Sequence, residues 1–266
     1  MNLLLYIFSL LLISFTGISS YLKTQVKEEV VFTIIYDNYK YSDPYIGDWG
    51  FSCMIEGKEK TILFDTGTKP DIFRKNLENL EIDLNEIDLI VISHNHGDHT
   101  GGLPVILEKR KDLPVYIPAS VEEQFLKKFS QLRAYTVPVN DPIKICNGVY
   151  LTGEMGNEIK EQSLLVETEQ GLVIVTGCSH QGVENVVKRA VEISDEKIYF
   201  LFGGFHLLRH SENEIKDILD IFLSEGVEKC GATHCTGEEA IIMVKEVYGK
   251  DYITIGAGNR IIVPDN

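Results

Sequence analysis

The stretch SHNHGDHTGG, residues 93–102, follows an apolar run at 87–92 and leads through two glycines into a helical pattern. We therefore expect a buried strand to deliver this segment and a tight turn to aim its side chains at one point. Three of the seven histidines in the chain lie in it. The candidate metal ligands of the stretch are His94, His96, Asp98 and His99. Imidazole and carboxylate together bind zinc, manganese or iron, so the stretch predicts a site for one or two ions.

This stretch and four others resemble motifs of a known family. SHNHGDHTGG resembles the HxHxDH signature of the metallo-β-lactamase superfamily, and ILFDTG (62–67) resembles the strand and loop that precede it. TGCSHQG (176–182), GGFHL (203–207) and THCTG (233–237) resemble one subgroup. That subgroup includes an archaeal dihydropterin-ribofuranosylaminobenzene-phosphate synthase and many metal-dependent hydrolases. The resemblance implies an α/β fold of the αββα sandwich type over residues 28–266.

Three further histidines each come directly after a predicted strand, where ligands are commonly presented. They are His180, His206 and His234. A two-ion site needs a third ligand for each ion, and His180 and His234 fill this need. The predicted ligand sets are therefore His94, His96 and His180 for one ion, and Asp98, His99 and His234 for the other. His206 is predicted to be an acid that faces the substrate, with a ligand role as the alternative.

The sequence departs from the family pattern at two places. Cys178 stands where the superfamily usually has an aspartate that bridges two ions, and 158–162 lacks the usual histidine, a role that His180 can assume. A thiolate at Cys178 could ligate zinc, but we expect it to lie outside the ligand shell, as a small buried thiol. Asp65 is predicted to orient a ligand histidine from the same outer position, besides capping a turn. Cys235 is predicted to be structural.

The composition limits the partners of the protein. Of 266 residues, 44% are hydrophobic and 24% charged, which is enough apolar surface for a substantial core. The formal net charge of −15 argues against a nucleic-acid partner and requires metal to offset the charge around an anionic substrate. Five cysteines are too few for a disulfide scaffold. We expect a small-molecule substrate.

The first residues differ from the rest of the chain. The segment 3–18 is almost continuously apolar, which predicts a signal peptide or a membrane anchor over residues 1–22. The absence of Lys and Arg before the apolar run weakens the signal-peptide interpretation. The sequence thus predicts a membrane-anchored or exported protein if the segment is functional, and otherwise a cytoplasmic one. Membrane contact is expected through this segment only.

Hydrophobic patterning predicts strands that cluster and are followed by helices, and this order occurs twice, before and after about Val149. The predicted closing strands are 252–255 and 260–263. Two β-rich halves with helices outside form a sandwich of two sheets between helical layers. This arrangement agrees with the fold that the resemblance implies.

The first functional hypothesis is a metal-dependent hydrolase of a phosphoester or related substrate. A metal-activated water would attack, Asp98 would hold or deprotonate it, and His206 would protonate the leaving group. The expected metal is zinc, alternatively manganese or iron(II), and the subgroup leaves a pterin-type transferase open. A second hypothesis is a non-catalytic metal-binding sensor or effector, motivated by Cys178. A third is a diiron redox protein, ranked lowest because the sequence contains no flavodoxin-like or rubredoxin-like extension.

Overall fold

The structure, a computed structural model, describes residues 29–265. The apolar segment 1–22 lies outside these residues, so the targeting, anchoring and localisation hypotheses stay predictions. Within the described range, none of the helices is both long and apolar enough to cross a membrane.

Within residues 29–265, thirteen strands form two sheets. In the first half of the chain the strands are β1 (Glu29–Tyr36), β2 (Ser52–Glu56), β3 (Ile62–Phe64), β4 (Leu89–Val91), β5 (Pro114–Pro118) and β6 (Tyr135–Val139). The later strands are β7 (Ile143–Cys146), β8 (Val149–Leu151), β9 (Leu164–Thr168), β10 (Gly171–Thr176), β11 (Ile198–Gly204), β12 (Lys229–Thr233) and β13 (Arg260–Pro264). The first sheet has the order β13-β1-β2-β3-β4-β5-β6, and the second has the order β12-β11-β10-β9-β8-β7.

The described residues form seven α-helices, and six of them cover the outer faces of the two sheets. The seven helices are α1 (Pro70–Asn79), α2 (Gly97–Thr100), α3 (Leu103–Leu107), α4 (Glu122–Lys128), α5 (Val183–Ile193), α6 (Glu212–Ser224) and α7 (Glu238–Tyr248). Residues of α1, α3 and α4 pack on the first sheet, and residues of α5, α6 and α7 pack on the second. The layers therefore run helix, sheet, sheet, helix, which confirms the predicted αββα sandwich.

Alternation along the central strands builds the three apolar layers. In β4, Leu89 and Val91 face the other sheet, whereas Ile90 faces the helices. In β10, Val173 and Val175 point inward while Leu172 and Ile174 point towards α5 and α6. Both faces of these strands are buried, which explains why their sequences read as continuous apolar runs rather than as alternating ones.

Parallel pairing places the candidate ligands at one end of the sandwich. The strands β3 to β6 run parallel to one another, as do β10, β11 and β12. The carboxyl ends of parallel strands meet at one edge, which is where open α/β sheets present functional residues. Asp65 follows β3, the segment 93–99 follows β4, and the candidates Cys178, His206 and His234 follow β10, β11 and β12.

Two predictions about the architecture are wrong. The chain changes sheet between β6 and β7, ahead of Val149, because the β7–β8 hairpin pairs with β9, and β13 then returns to the first sheet. The segment 252–255 is not a strand: Tyr252 forms only an isolated bridge to Cys230. The chain must leave the second sheet at this point to reach β13, and Ile255 instead packs between the sheets.

Candidate metal centre

Four non-glycine residues at the strand ends adopt a left-handed backbone conformation. They are Asp65 (φ 55°), Ser179 (φ 64°), His206 (φ 53°) and His234 (φ 50°). This conformation costs about 1 kcal/mol or more for a residue with a side chain, and it persists only where the surroundings enforce it. Three of these residues, Asp65, His206 and His234, are candidates of the site, so the strained turns lie at the end of the sandwich where the other candidates are found.

The first group of donors consists only of imidazoles, and we call it the histidine set: His94, His96 and His180. One ring nitrogen from each lies within 4.8 Å of the others. Nε2 of His94 faces Nδ1 of His96 at 3.0 Å. Nitrogens of neutral imidazoles that converge in this way are suited to a divalent transition metal. The structure thus brings together the three residues predicted to hold one ion.

Glu161 holds His180 in place from the side of the ring that faces away from the other two histidines. Its buried carboxylate accepts the backbone N–H groups of Cys178 (2.7 Å), Ser179 (2.8 Å) and His180 (3.0 Å). It also contacts Nδ1 of His180 at 2.8 Å, so Nε2 of that ring is directed into the set. Burial raises the pKa of Glu161, but His94 and His180 outweigh this effect and hold the pKa below its usual range. The carboxylate is therefore ionised.

The tautomer of His94 follows from its neighbours. The Ser93 hydroxyl donates to Asp65 Oδ2 at 2.7 Å and lies 3.0 Å from His94 Nδ1. Because the single hydroxyl proton is already engaged, Ser93 accepts from the Nδ1–H of His94. The lone pair of Nε2 then remains available inside the histidine set, as metal ligation requires.

The second group of donors combines three chemical types, and we call it the mixed set: Asp98, His99, Cys178 and His234. The Cys178 thiol lies 3.2 Å from Nε2 of His99 and 3.4 Å from Nε2 of His234. Oδ2 of Asp98 lies 3.7 Å and 3.5 Å from the same two nitrogens. The structure thus places Cys178 among the predicted ligands of the second ion, while the sequence alone favoured a position outside them.

Hydrogen bonds orient both imidazoles of the mixed set. Nδ1 of His99 contacts Asp65 Oδ2 at 2.7 Å, which is the role predicted for Asp65. Nδ1 of His234 contacts Asn38 Oδ1 at 2.9 Å. In each ring the outer nitrogen is engaged by oxygen and Nε2 is left to face the other donors, which is the arrangement found around metal-ligating histidines. The donors of both sets therefore fit divalent ions.

Trp49 contacts two members of the mixed set, although sequence reasoning missed it. Its indole N–H donates to Asp98 Oδ2 at 2.7 Å, and its ring lies 4.9 Å from that of His234. Burial raises the pKa of Asp98, but contacts with His234, His99 and Trp49 hold the pKa well below its usual range. Asn38 and Glu161 were also missed, and of these three residues only Trp49, the single tryptophan in the chain, carried any signal.

His206 lies beside both sets but belongs to neither. Its exposed ring packs on His180 with centroids 4.4 Å apart. One of its ring nitrogens lies within 4.8 Å of the thiols of Cys178 and Cys235. The hydrogen bond with Cys235 raises the pKa of His206 above its ordinary value, although burial lowers it. His210 is in none of the donor groups among the described residues.

Two open clefts flank the donor sets. The His234 cleft, about 590 Å³, has an aromatic and apolar wall that includes Tyr39, Trp49 and Leu208, and an acidic rim with Glu238 and Glu239. The His180 cleft, about 680 Å³, is lined by His180 and His206 together with polar groups that include Asn157 and Gln181. Small molecules can therefore approach the donors from two sides.

Comparison with known proteins shows similarity over most of the chain. A family model described as the metallo-beta-lactamase superfamily matches residues 50–186. A relative from Methanocaldococcus jannaschii, named 7,8-dihydropterin-6-methyl-4-(beta-D-ribofuranosyl)-aminobenzene-5'-phosphate synthase, is 31% identical over 280 residues. That alignment covers 87% of this chain and 95% of the relative.

A solved structure and a partial relative extend the comparison. A crystal structure described as a metal-dependent hydrolase of the beta-lactamase superfamily superimposes with a TM-score of 0.75 at 28% identity. It covers 89% of this chain and 100% of that one. An anaerobic nitric oxide reductase flavorubredoxin from Vibrio vulnificus is 36% identical, but over only 98 residues, 35% of this chain and 20% of the relative.

Proposed function

The chain belongs to the metallo-β-lactamase superfamily, and from this membership we propose that it is a metal-dependent hydrolase of an anionic small molecule. We propose a phosphoester or a related bond as the point of cleavage. The observation that carries the proposal is the convergence of the histidine set and the mixed set between two open clefts. The family includes hydrolases and a synthase, which supports an enzyme at this coarse level.

The two sets would hold one or two divalent ions, zinc by preference and manganese or iron(II) as alternatives. An ion bound there supplies a Lewis acid that polarises the substrate and lowers the pKa of a coordinated water towards neutrality. The mixture of imidazole nitrogens with one carboxylate and one thiol favours zinc, because hard cations such as magnesium prefer oxygen donors.

The residues of the chain supply orientation and proton transfer. The ionised carboxylate of Asp98 accepts a hydrogen bond from the attacking water and so aligns it for attack. A ring nitrogen of His206, on the wall of the His180 cleft, donates a proton to the departing oxygen. Removing either group should lower kcat more than it raises KM, because each acts as the bond breaks.

Charge restricts where the substrate's anionic group can bind. With a formal net charge of −15 and two glutamates on the rim of the His234 cleft, the surface repels anions. The donor sets, once they hold cations, are the place where an anionic group is attracted. The apolar and aromatic wall formed by Tyr39, Trp49 and Leu208 is suited to an uncharged, flat part of the same molecule.

A second candidate function is a transfer reaction on a pterin-type substrate. It is favoured by the archaeal synthase, which is 31% identical over 87% of this chain. In such a reaction the same donor sets would bind the phosphate or its leaving group, while the flat ring would lie against Trp49. Hydrolysis and transfer would use the same residues. The geometry of the site therefore cannot distinguish the two reactions, and the products must be identified.

The test is a screen of the purified full chain reconstituted with zinc, manganese or iron(II). Phosphomonoesters, phosphodiesters and carboxylic esters are the substrates for hydrolysis. A 7,8-dihydropterin with a leaving group on its 6-methyl carbon, together with a ribofuranosyl-aminobenzene phosphate as acceptor, is the substrate pair for transfer. We expect metal-dependent hydrolysis that His94→Ala abolishes. His210→Ala, which changes the wall of the His234 cleft but no donor, should leave the hydrolysis dependent on metal. Release of pterin adducts without hydrolysis would establish the transferase. Tight metal binding with no turnover of any substrate would contradict both and leave a sensor.

A further inference from the structure

Two of the five cysteines differ from the rest in their surroundings. Cys53, Cys146 and Cys230 belong to the apolar cores. Cys178 and Cys235, in contrast, lie next to imidazoles: their thiols and one ring nitrogen of His206 are all within 4.8 Å of one another. A thiol that only fills space in a core needs no such polar neighbours. The surroundings of this pair therefore call for a different explanation.

The topology of the second sheet produces this cluster. Cys178 follows β10, His206 follows β11 and Cys235 follows β12, and these three strands are adjacent and parallel. Gly204, at the end of the middle strand, makes the approach possible, because a Cβ at this position would lie 2.7 Å from the Cys235 sulfur. The Cys235 thiol also contacts the Cys178 carbonyl oxygen at 3.5 Å.

We propose that Cys178, Cys235 and His206 form a third cation site, rich in sulfur and selective for zinc or a similarly soft divalent ion. Two thiolates and one imidazole are three of the four ligands that zinc takes, with one position open to water or to another ligand. Each thiol releases its proton to solvent when the ion binds, so the site gains two negative charges that neutralise the cation. Sulfur donors exclude magnesium and disfavour manganese.

The backbone at His206 supports this assignment. The residue has a φ of 53°, a conformation that a histidine adopts at a cost of about 1 kcal/mol or more unless contacts hold it. In that conformation the exposed ring reaches the two buried thiols, while His210, four residues further along, takes part in no donor group among the described residues. The strained turn therefore positions His206, and not His210, for ligation.

Cys178 is shared between this third site and the mixed set. Its sulfur is 3.2 Å from Nε2 of His99 on one side and within 4.8 Å of the Cys235 sulfur on the other. An ion at the third site would draw the thiolate away from the mixed set and would occupy the ring of His206. If His206 is the proton donor, as the proposed function holds, excess zinc would then inhibit turnover. This consequence rests on the proposed function, whereas the site itself does not.

Cobalt(II) titration of the full chain tests the site without any substrate. Thiolate ligation of cobalt gives sulfur-to-metal charge-transfer absorption in the near ultraviolet. We expect the parent to show this band with two thiolates contributing, and Cys235→Ala to reduce it by about half. We expect His206→Ala to lower the number of bound ions by one. The matched controls are Cys146→Ala, a core cysteine, and His210→Ala, and both should resemble the parent.

Two results would overturn the site. One is a charge-transfer band that is lost in Cys178→Ala but unchanged in Cys235→Ala. The band would then come from the Cys178 thiolate alone, as a ligand of the mixed set. The other is an unchanged ion count and spectrum in His206→Ala, which also decides the question if Cys235→Ala does not fold. A complete absence of hydrolysis, with the cobalt band behaving as expected, would reject the proposed function and leave the third site in place.

Discussion

The histidine set and the mixed set lie side by side, yet they differ in charge and in chemical type. The histidine set contains three imidazoles and no carboxylate, and the negative charge of Glu161 lies on the outer side of His180, away from the other ligands. The mixed set carries the ionised carboxylate of Asp98 and a thiol among the ligands themselves. We propose that the two sets would hold ions by different means, the first through preorganised nitrogens and the second through direct charge.

The buried carboxylates that support the two sets differ as well. The pKa of Glu161 is held below its usual range, because His94 and His180 outweigh the effect of burial. In Asp37, which accepts the Thr233 hydroxyl next to His234, burial is the larger effect and raises the pKa to about 7. The Glu161 carboxylate is therefore charged throughout the physiological pH range, while the Asp37 carboxyl group titrates within that range.

The largest effect is expected from Glu161→Gln. The amide removes the charge behind His180 and directs an NH2 group at backbone donors that need an acceptor. We expect zinc affinity of the histidine set to fall about 100-fold. We also expect the free energy of unfolding to fall by about 1–3 kcal/mol, since buried backbone N–H groups lose their acceptor. Calorimetric titration and urea denaturation measure the two changes.

The control for this substitution is Glu158→Gln, an exposed residue in the same loop. Glu158 lines the His180 cleft but forms no hydrogen bond or ion pair with a member of either set, so zinc affinity and stability should match those of the parent. Equal losses of zinc affinity and stability in both variants would show that the effect comes from the change in net charge. The supporting role of Glu161 would then be rejected.

The next effect concerns pH and Asp37. Because its pKa is raised to about 7 in the folded protein, the folded state binds more protons than the unfolded state between about pH 4 and pH 7. The stability that this group contributes is therefore present at low pH and is lost as the pH rises through that window. A shift of about three pKa units sets the upper limit of the loss at about 4 kcal/mol. His234 opposes the shift and Cys235 adds to it.

Asp37→Asn should remove this dependence. Urea denaturation of metal-free protein at several pH values should give a stability difference between variant and parent that grows in favour of the variant as the pH approaches 7. Other groups, among them Glu161 and Asp98, titrate in both proteins and cancel in the difference. A difference that stays constant with pH would show that the Asp37 carboxyl keeps an ordinary pKa.

A smaller effect is expected from Trp49→Phe, which acts on the mixed set alone. The variant keeps an aromatic ring against His234 but removes the N–H donor to Asp98. Because the indole is half exposed, we expect zinc affinity of the mixed set to fall by about tenfold or less. Tyr39→Phe, in the same cleft, is the control. If Trp49→Phe changed the zinc affinity of the histidine set more than that of the mixed set, the division into two sets would be contradicted.

The sequence identified the residues whose chemistry is unusual in itself. Histidines after predicted strands, and the HxHxDH stretch above all, predicted the ligand candidates that the fold then brought together. The continuous apolar runs and their order likewise predicted the two sheets, because burial of both faces leaves a strong signal in sequence. These features depend on local composition, which sequence displays directly.

The residues that the sequence could not identify act through distant contacts. Glu161 stands in a segment noted only for a missing histidine, yet it meets Cys178 and His180 because β9 and β10 form a hairpin. Asn38 orients His234 across 196 positions. The incorrect prediction of a strand at 252–255 also results from distant contacts. Apolar residues of this segment pack between the sheets instead of pairing with a neighbouring strand.

The smallest effect is expected from deleting residues 1–20. Both donor sets and their supports are drawn from residues between Asp37 and His234. β1, which begins at Glu29, is already paired on both sides, with β13 and with β2, so its position in the sheet depends on partners within the described range. We therefore expect the truncated chain to keep the parent's zinc affinities for both sets and its free energy of unfolding. Calorimetry and urea denaturation provide the measurement. A truncated chain that fails to fold, or that loses one set selectively, would show that the apolar segment packs against the domain, and would make the difference between the sets depend on residues outside them.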